Sequence, residues 1–126
     1  MIKLDYKDGR SLHEQIAAGF RELIVSGALQ TDEQLPSVRE LSVSLTVNPN
    51  TVQRAYKQLE NEGFIYSVKG RGSFVASAAE IQDEKMLMEL YDSLTRTVKE
   101  LMYLGETKKS IENIVNNVFS EKEEQI

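Results

Sequence analysis

The sequence predicts a mainly α fold with one small β-hairpin, arranged in two parts, and three observations carry that expectation. Two short amphipathic patterns with helix-start signals flank a tight turn at Thr46-Val47. A basic, glycine-rich stretch, Lys69-Gly70-Arg71-Gly72, separates two runs of aromatic and β-branched residues. Beyond residue 79, leucines recur at heptad-like spacing. The first two observations together describe a helix-turn-helix followed by a hairpin, which is a winged helix, whose second helix enters the DNA major groove.

In chain order, Ile2, Leu4 and Tyr6 alternate, which predicts a short strand along the flank of the first domain. Asp8-Gly9 is a turn, and Ser11 caps a first helix with Leu12, Ile16, Phe20, Leu23 and Ile24 on one side, stopped by Gly27. Ser37 followed by Glu40 is a capping box, in which hydroxyl and carboxylate each satisfy a free amide of the first turn. Val38, Leu41 and Leu45 then give that helix one apolar stripe. Asn48 is a good N-cap, and Pro49 sits at the first helical position, where its missing N–H costs nothing. Val52, Ala55, Tyr56 and Leu59 form the inward face, and Gly63 suits a left-handed C-terminal cap. The outward face is left with Asn50, Thr51, Gln53, Arg54 and Lys57, all donors and acceptors. Phe64 to Val68 and Ser73 to Ala76 are the expected strands.

The boundary is expected at Ser77-Ala78-Ala79, dividing the chain into 1–76 and 77–126. A long helix follows, about 80–104, with Leu87, Leu90, Leu94, Leu101 and Leu104 flanked by Met86, Tyr91, Val98 and Met102. Gly105 stops it. Thr107 caps a second helix to about residue 119, with Ile111, Ile114, Val115, Val118 and Phe119 on one face, and the charged end from Glu121 to Ile126 is expected to fray.

Charge placement says more than the total. The chain carries −5 overall, yet residues 1–76 hold nine Lys/Arg against nine Asp/Glu, and residues 77–126 hold six against eleven. Leu41–Leu59 and Gly63–Ala79 contain no acid and two basic residues each. Phosphate attraction acts locally, within a Debye length of roughly 8–10 Å, so an acid-free reading surface is compatible with DNA despite the acidic tail.

At these residues a resemblance becomes specific. LHEQI and REL, then LPSVREL, VNPNTVQRAY, LENEGFIY and GRGSFV, spread over Leu12 to Val75, resemble in order the N-terminal domain of the GntR family of bacterial transcription regulators. The NPNTV-RAY variant and the short tail are similar to the YtrA subfamily. The resemblance implies DNA contact from Ser37 and Arg39 in the PS-x-R-E-L motif, and from Asn48, Asn50, Thr51, Gln53 and Arg54 at the start of the recognition helix. It also implies contact from Tyr56, often at a phosphate, from Lys57, and from Lys69, Gly70, Arg71 and Gly72 at the wing tip. Gln53 and Arg54 are long enough for bidentate contacts, to adenine and guanine respectively. Other readings stand beside these: Arg39 paired with Glu40 or Asp32, Tyr56 as core, and Lys57 on a solvated face. Two departures from the family pattern are Gln53, where many members carry a base-reading Arg, and Thr46, where Gly is usual. If position 46 needs positive φ, Thr is strained there.

The tail is too small to bury its own apolar stripes. A second copy would cover them through Leu87, Leu90, Tyr91, Leu94, Val98 and Leu101 of the long helix and Ile111, Ile114, Val115 and Val118 of the second. The alternative is folding back on the winged helix. A homodimer suits DNA, presenting two recognition helices to two half-sites. The expected protein is a homodimeric repressor of a near-palindromic double-stranded operator, and the resemblance to the YtrA subfamily implies control of a nearby operon, often one for an ATP-driven transporter. Two rivals stand beside it: a winged helix used only for protein interaction, and a small enzyme, which would need a convergent acid, base or nucleophile set.

A small-molecule effector would need a pocket lined by Met86, Met88, Tyr91 and Tyr103 at the dimer interface, since the tail has no room for a separate sensor domain. His13 is the sole histidine and there is no Cys, so no thiolate zinc site, metal cluster or Ser-His-Asp set is expected. No catalytic constellation, cofactor motif, apolar membrane-spanning run or signal peptide is found, and a cytoplasmic, non-enzymatic protein is expected.

Overall fold

The computed structural model describes residues 2–77 and 84–124. Its elements are α1 (Leu12–Val25), α2 (Val38–Leu45), α3 (Pro49–Asn61), β1 (Ile65–Val68), β2 (Gly72–Val75), α4 (Glu84–Tyr103) and α5 (Lys108–Glu124). The chain divides into two units, Met1–Gln82 and Asp83–Ile126.

Local chemistry explains the helix starts of the first unit. The Ser11 hydroxyl accepts the Glu14 N–H at 3.3 Å, the Ser37 hydroxyl accepts that of Glu40 at 3.0 Å, and the Asn48 side chain accepts that of Asn50 at 2.8 Å. Each relieves one of the free amides that begin a helix. Gly63, at φ +85°, lets the chain leave α3 for the hairpin. The core lies where α1 crosses α3: Ile16, Ala17 and Phe20 meet Val52, Ala55 and Leu59, all fully buried, with Leu41, Phe64, Ile65 and Val75 around them. Phe20 and Tyr56 pack edge to face, centroids 5.7 Å apart. An ion pair in which one Arg21 guanidinium nitrogen, Nη2, donates to both Glu62 carboxylate oxygens at 2.7 and 2.8 Å ties α1 to the end of α3, and the Arg21 guanidinium lies 5.5 Å from the Phe64 ring.

β1 and β2 are antiparallel, with Ile65 opposite Val75, Tyr66 opposite Phe74, Ser67 opposite Ser73 and Val68 opposite Gly72. Gly72 therefore belongs to a strand, and the loop is Lys69–Arg71 rather than the four residues expected. Arg71 N–H closes it on the Val68 carbonyl at 2.9 Å, with Gly70 at φ +78° in the position a type II turn reserves for glycine. The segment 32–35 runs along the open edge of β2, through Leu35 N–H to Ser73 O and Val75 N–H to Glu33 O, both 2.9 Å.

The expected strand at Ile2–Tyr6 does not form. No strand lies beside it to pair with. The Gln15 side chain takes that role, accepting the Asp5 N–H at 2.9 Å and donating to the carbonyls of Asp5 at 3.0 Å and Arg10 at 3.1 Å. Ile2 sits against Gly19, where a Cβ would come within 2.7 Å of its Cδ1.

In the second unit, residues 78–83, including the expected boundary at Ala78-Ala79 and the expected start of the long helix, lie outside the described residues. Gly105, at φ +90°, follows α4, and the Thr107 hydroxyl accepts the Ser110 N–H at 3.1 Å at the start of α5. α5 runs to Glu124, five residues past the expected end, because Glu and Lys are good helix formers and nothing after Phe119 breaks the helix.

Thr46 caps α2 in the left-handed region, at φ +55° and ψ +51°. A β-branched residue there costs about 1–2 kcal/mol, partly offset in a glycine by its greater freedom when unfolded. Thr46→Gly is therefore expected to stabilise the first unit by about 0.5–1 kcal/mol, read as a rise of a few degrees in the thermal unfolding midpoint.

Candidate nucleic-acid interface

The reading surface follows from the division of α3 into two faces. Val52, Ala55, Tyr56 and Leu59 are buried, so Asn50, Gln53, Arg54 and Lys57 are exposed and Thr51 is partly so. Ser37 and Asn48, both exposed, hold the N-termini of α2 and α3, where backbone N–H groups favour an anion. Arg39 is exposed on the first turn of α2 and pairs with neither Glu40 nor Asp32. Asp32 instead accepts the Tyr66 hydroxyl at 2.8 Å. Among the described residues, Arg39, Arg54, Lys57, Lys69 and Arg71 form no ion pair, so the first unit keeps five uncommitted cations on these elements.

Tyr56 lies in the core. It is 6% exposed, and its single hydroxyl proton is donated to the Pro36 carbonyl at 2.7 Å. Burial, with the Glu40 charge as a smaller cause, pushes its phenol well above the ordinary range, so it stays a neutral donor within the core.

The wing depends on a residue the sequence reading passed over. The Gln34 side-chain amide donates to the Arg71 carbonyl at 2.8 Å, and a Cβ on Gly72, which has φ +120°, would come within 2.9 Å of that same nitrogen. Gly72 thus makes room for Gln34, whereas Gly70 at the tip faces open space. Gln34 lies in an irregular link, and no local pattern marks it. On the hairpin's outer face Tyr66 stacks on Phe74 at 5.5 Å.

The side chains suggested for an effector pocket do not converge within one chain. Met86 and Tyr103 stand at opposite ends of α4, about 25 Å apart at 1.5 Å per residue. Leu87, Leu90, Tyr91, Leu94, Ile114, Val115 and Val118 are exposed, and Val98, Leu101 and Ile111 are partly so; α4 buries nothing. Among the described residues no three His, Cys, Asp or Glu cluster as a metal site would need, and no helix is long and apolar enough to cross a membrane.

Residues 12–75 match the model for bacterial regulatory proteins of the gntR family. The chain is 36% identical over 107 residues to the HTH-type transcriptional repressor YtrA of Bacillus subtilis, covering 83% of this chain and 82% of that one. A transcriptional antiterminator from Listeria monocytogenes superposes with a TM-score of 0.78 at 34% identity, covering 94% of this chain and 89% of that chain. AraR(DBD) in complex with operator ORE1 superposes with a TM-score of 0.53 at 28% identity, covering 60% of this chain and 93% of that chain.

Tyr56→Phe tests whether that hydroxyl serves the core or DNA. Leaving the Pro36 carbonyl without its donor is expected to lower stability by about 1 kcal/mol, while duplex binding by the folded variant, measured by fluorescence anisotropy, stays at the native level.

Proposed function

Since this chain belongs to the gntR family of bacterial regulatory proteins, we propose that it is a homodimeric transcriptional repressor acting on a near-palindromic DNA operator. The observation that carries this reading is the exposed face of α3, where Asn50, Gln53, Arg54 and Lys57 project from a helix whose other face is locked into the core. A helix of this kind lies in the major groove with its N-terminal residues at the base edges. Gln53 and Arg54 then read bases, while Arg39 and the capped N-termini of α2 and α3 fix the register on phosphates. Lys69 and Arg71, at the tip of the wing, enter the neighbouring minor groove.

The exposed apolar residues of α4 and α5 support the dimer. Leu87 and Leu94 of α4 are each 53% exposed in the single chain, and α4 and α5 together carry too many such residues to leave in water. A second copy covers like with like and sets two readers one DNA turn apart, roughly 34–36 Å. The relative named as a transcriptional repressor supports repression, and the resemblance to the YtrA subfamily extends the proposal to control of a neighbouring operon, in the cytoplasm.

The decisive experiment titrates the protein against the duplex upstream of its own gene and a scrambled duplex, at two salt concentrations. Selective saturation at two chains per duplex is expected. Equal, weak, steeply salt-dependent binding to both would leave only phosphate attraction, and binding to neither would favour a protein-interaction role. Arg39→Ala and Arg54→Ala are each expected to lose roughly 1–3 kcal/mol of operator affinity. Leu94→Glu places a charge in the middle of the apolar face. Sedimentation equilibrium should then return the single-chain mass of 14.3 kDa instead of twice that value.

A further inference from the structure

Between α3 and the hairpin runs an open groove of about 480 Å³, whose lining includes Gln53, Lys57, Glu60, Ser67 and Ser73. Its two walls are the two elements assigned above to adjacent DNA grooves. The sugar-phosphate strand that separates a major from a minor groove has to cross the floor between them. Most of that floor suits a phosphodiester. Lys57 brings an unpaired charge, Gln53 an amide, and Ser67 and Ser73 face each other across the hairpin with hydroxyls 3.5 Å apart.

One residue does not suit it. Glu60 stands three positions after Lys57 and seven after Gln53, on the same stripe of α3. It is exposed and makes no ion pair among the described residues. Its Oε2 accepts the Ser67 hydroxyl at 3.1 Å. In the DNA-free protein, then, an anionic oxygen already occupies a donor at the place where a backbone phosphate would sit.

We propose that this groove is a seat for a backbone phosphate, and that the Glu60 carboxylate is its built-in anionic competitor, holding the Ser67 hydroxyl until DNA displaces it. The inference rests on the DNA-binding reading given above. A phosphate drawn into the seat has to take the Ser67 proton from Glu60 and tolerate its charge. That cost falls on every sequence alike, because the contact is to the backbone. Glu60 thereby lowers affinity for DNA in general and keeps the protein from lingering on random sequence.

The test compares the native full chain with Glu60→Gln, which keeps an acceptor for Ser67 but removes the charge, and with Glu60→Ala, which removes both. Operator and scrambled duplexes are titrated at low and high salt. Removing one charge at this range should tighten both variants on both duplexes by roughly three- to tenfold at low salt, with a smaller gain at high salt. The ratio between duplexes stays at the native value. Adding Ser67→Ala and Ser73→Ala to Glu60→Gln should abolish the gain. Unchanged affinity in both single variants overturns the proposal. So does weakening by Glu60→Ala alone, which would make Glu60 a strut for the hairpin, or a loss confined to the operator, which would make it a base reader. If the native protein binds neither duplex, the DNA-binding reading itself fails and takes this one with it.

Discussion

Burial of one face of α3 against α1 is the constraint on which the rest of the first unit depends. Ile16, Ala17 and Phe20 close over Val52, Ala55 and Leu59 with no exposed surface left on any of the six. That seam fixes the rotation of α3 about its own axis, and a helix fixed in rotation presents a fixed set of outward side chains. Two further contacts guard it. Phe20 meets Tyr56 edge-on, and Arg21 reaches from α1 to Glu62 at the far end of α3. The ion pair is partly exposed and runs through a single guanidinium nitrogen, so its contribution is modest. Losing an aromatic at this seam would cost about 3–5 kcal/mol, a large share of what a domain of this size has.

The hairpin is held by different means. Only Ile65 and Val75 of its paired residues are buried, so packing alone anchors its base. Beyond that base, polar contacts from the link before α2 continue the restraint: Asp32 to Tyr66, the backbone of 33–35 to β2, and Gln34 to Arg71. One short irregular segment therefore serves as both connection and edge partner. Alternation along the strands separates the roles: Ile65, Ser67, Ser73 and Val75 share the face toward α3, while Tyr66 and Phe74 stack on the other.

Much of this was legible in the sequence, and the reasons are local. Ser11, Ser37, Asn48 and Pro49 mark helix starts through chemistry confined to four residues, and the apolar spacing of α3 names its buried face without help from the rest of the chain. The left-handed residue at Thr46 was legible as a conditional, since only a turn of known geometry tells whether glycine is required. What stayed hidden depends on neighbours distant in sequence. The alternation at Ile2, Leu4 and Tyr6 is a true strand pattern with no strand to join, and a glutamine ten positions after Asp5 satisfies the backbone in its place. Tyr56 has the composition of either core or contact, and the choice is made by the Pro36 carbonyl twenty positions earlier. Gln34 and Gly72 become a pair only once the hairpin folds back. Of the candidate interface, the side chains of α3 were readable and the groove beside them was not, because one wall comes from each of two elements.

The Gln34 bond to Arg71 bears on the thermodynamics of any partner's arrival. It grips the hairpin at the last residue of its loop, so the free part of the tip is only Lys69 and Gly70. A tip this short, gripped this close to its end, has few conformations to lose. Its ordering has already been met during folding, so docking should draw little on backbone entropy at the wing. The conformational entropy still to be lost at this surface lies chiefly in the long side chains of Arg39, Arg54, Lys57, Lys69 and Arg71, which are free to turn until something fixes them.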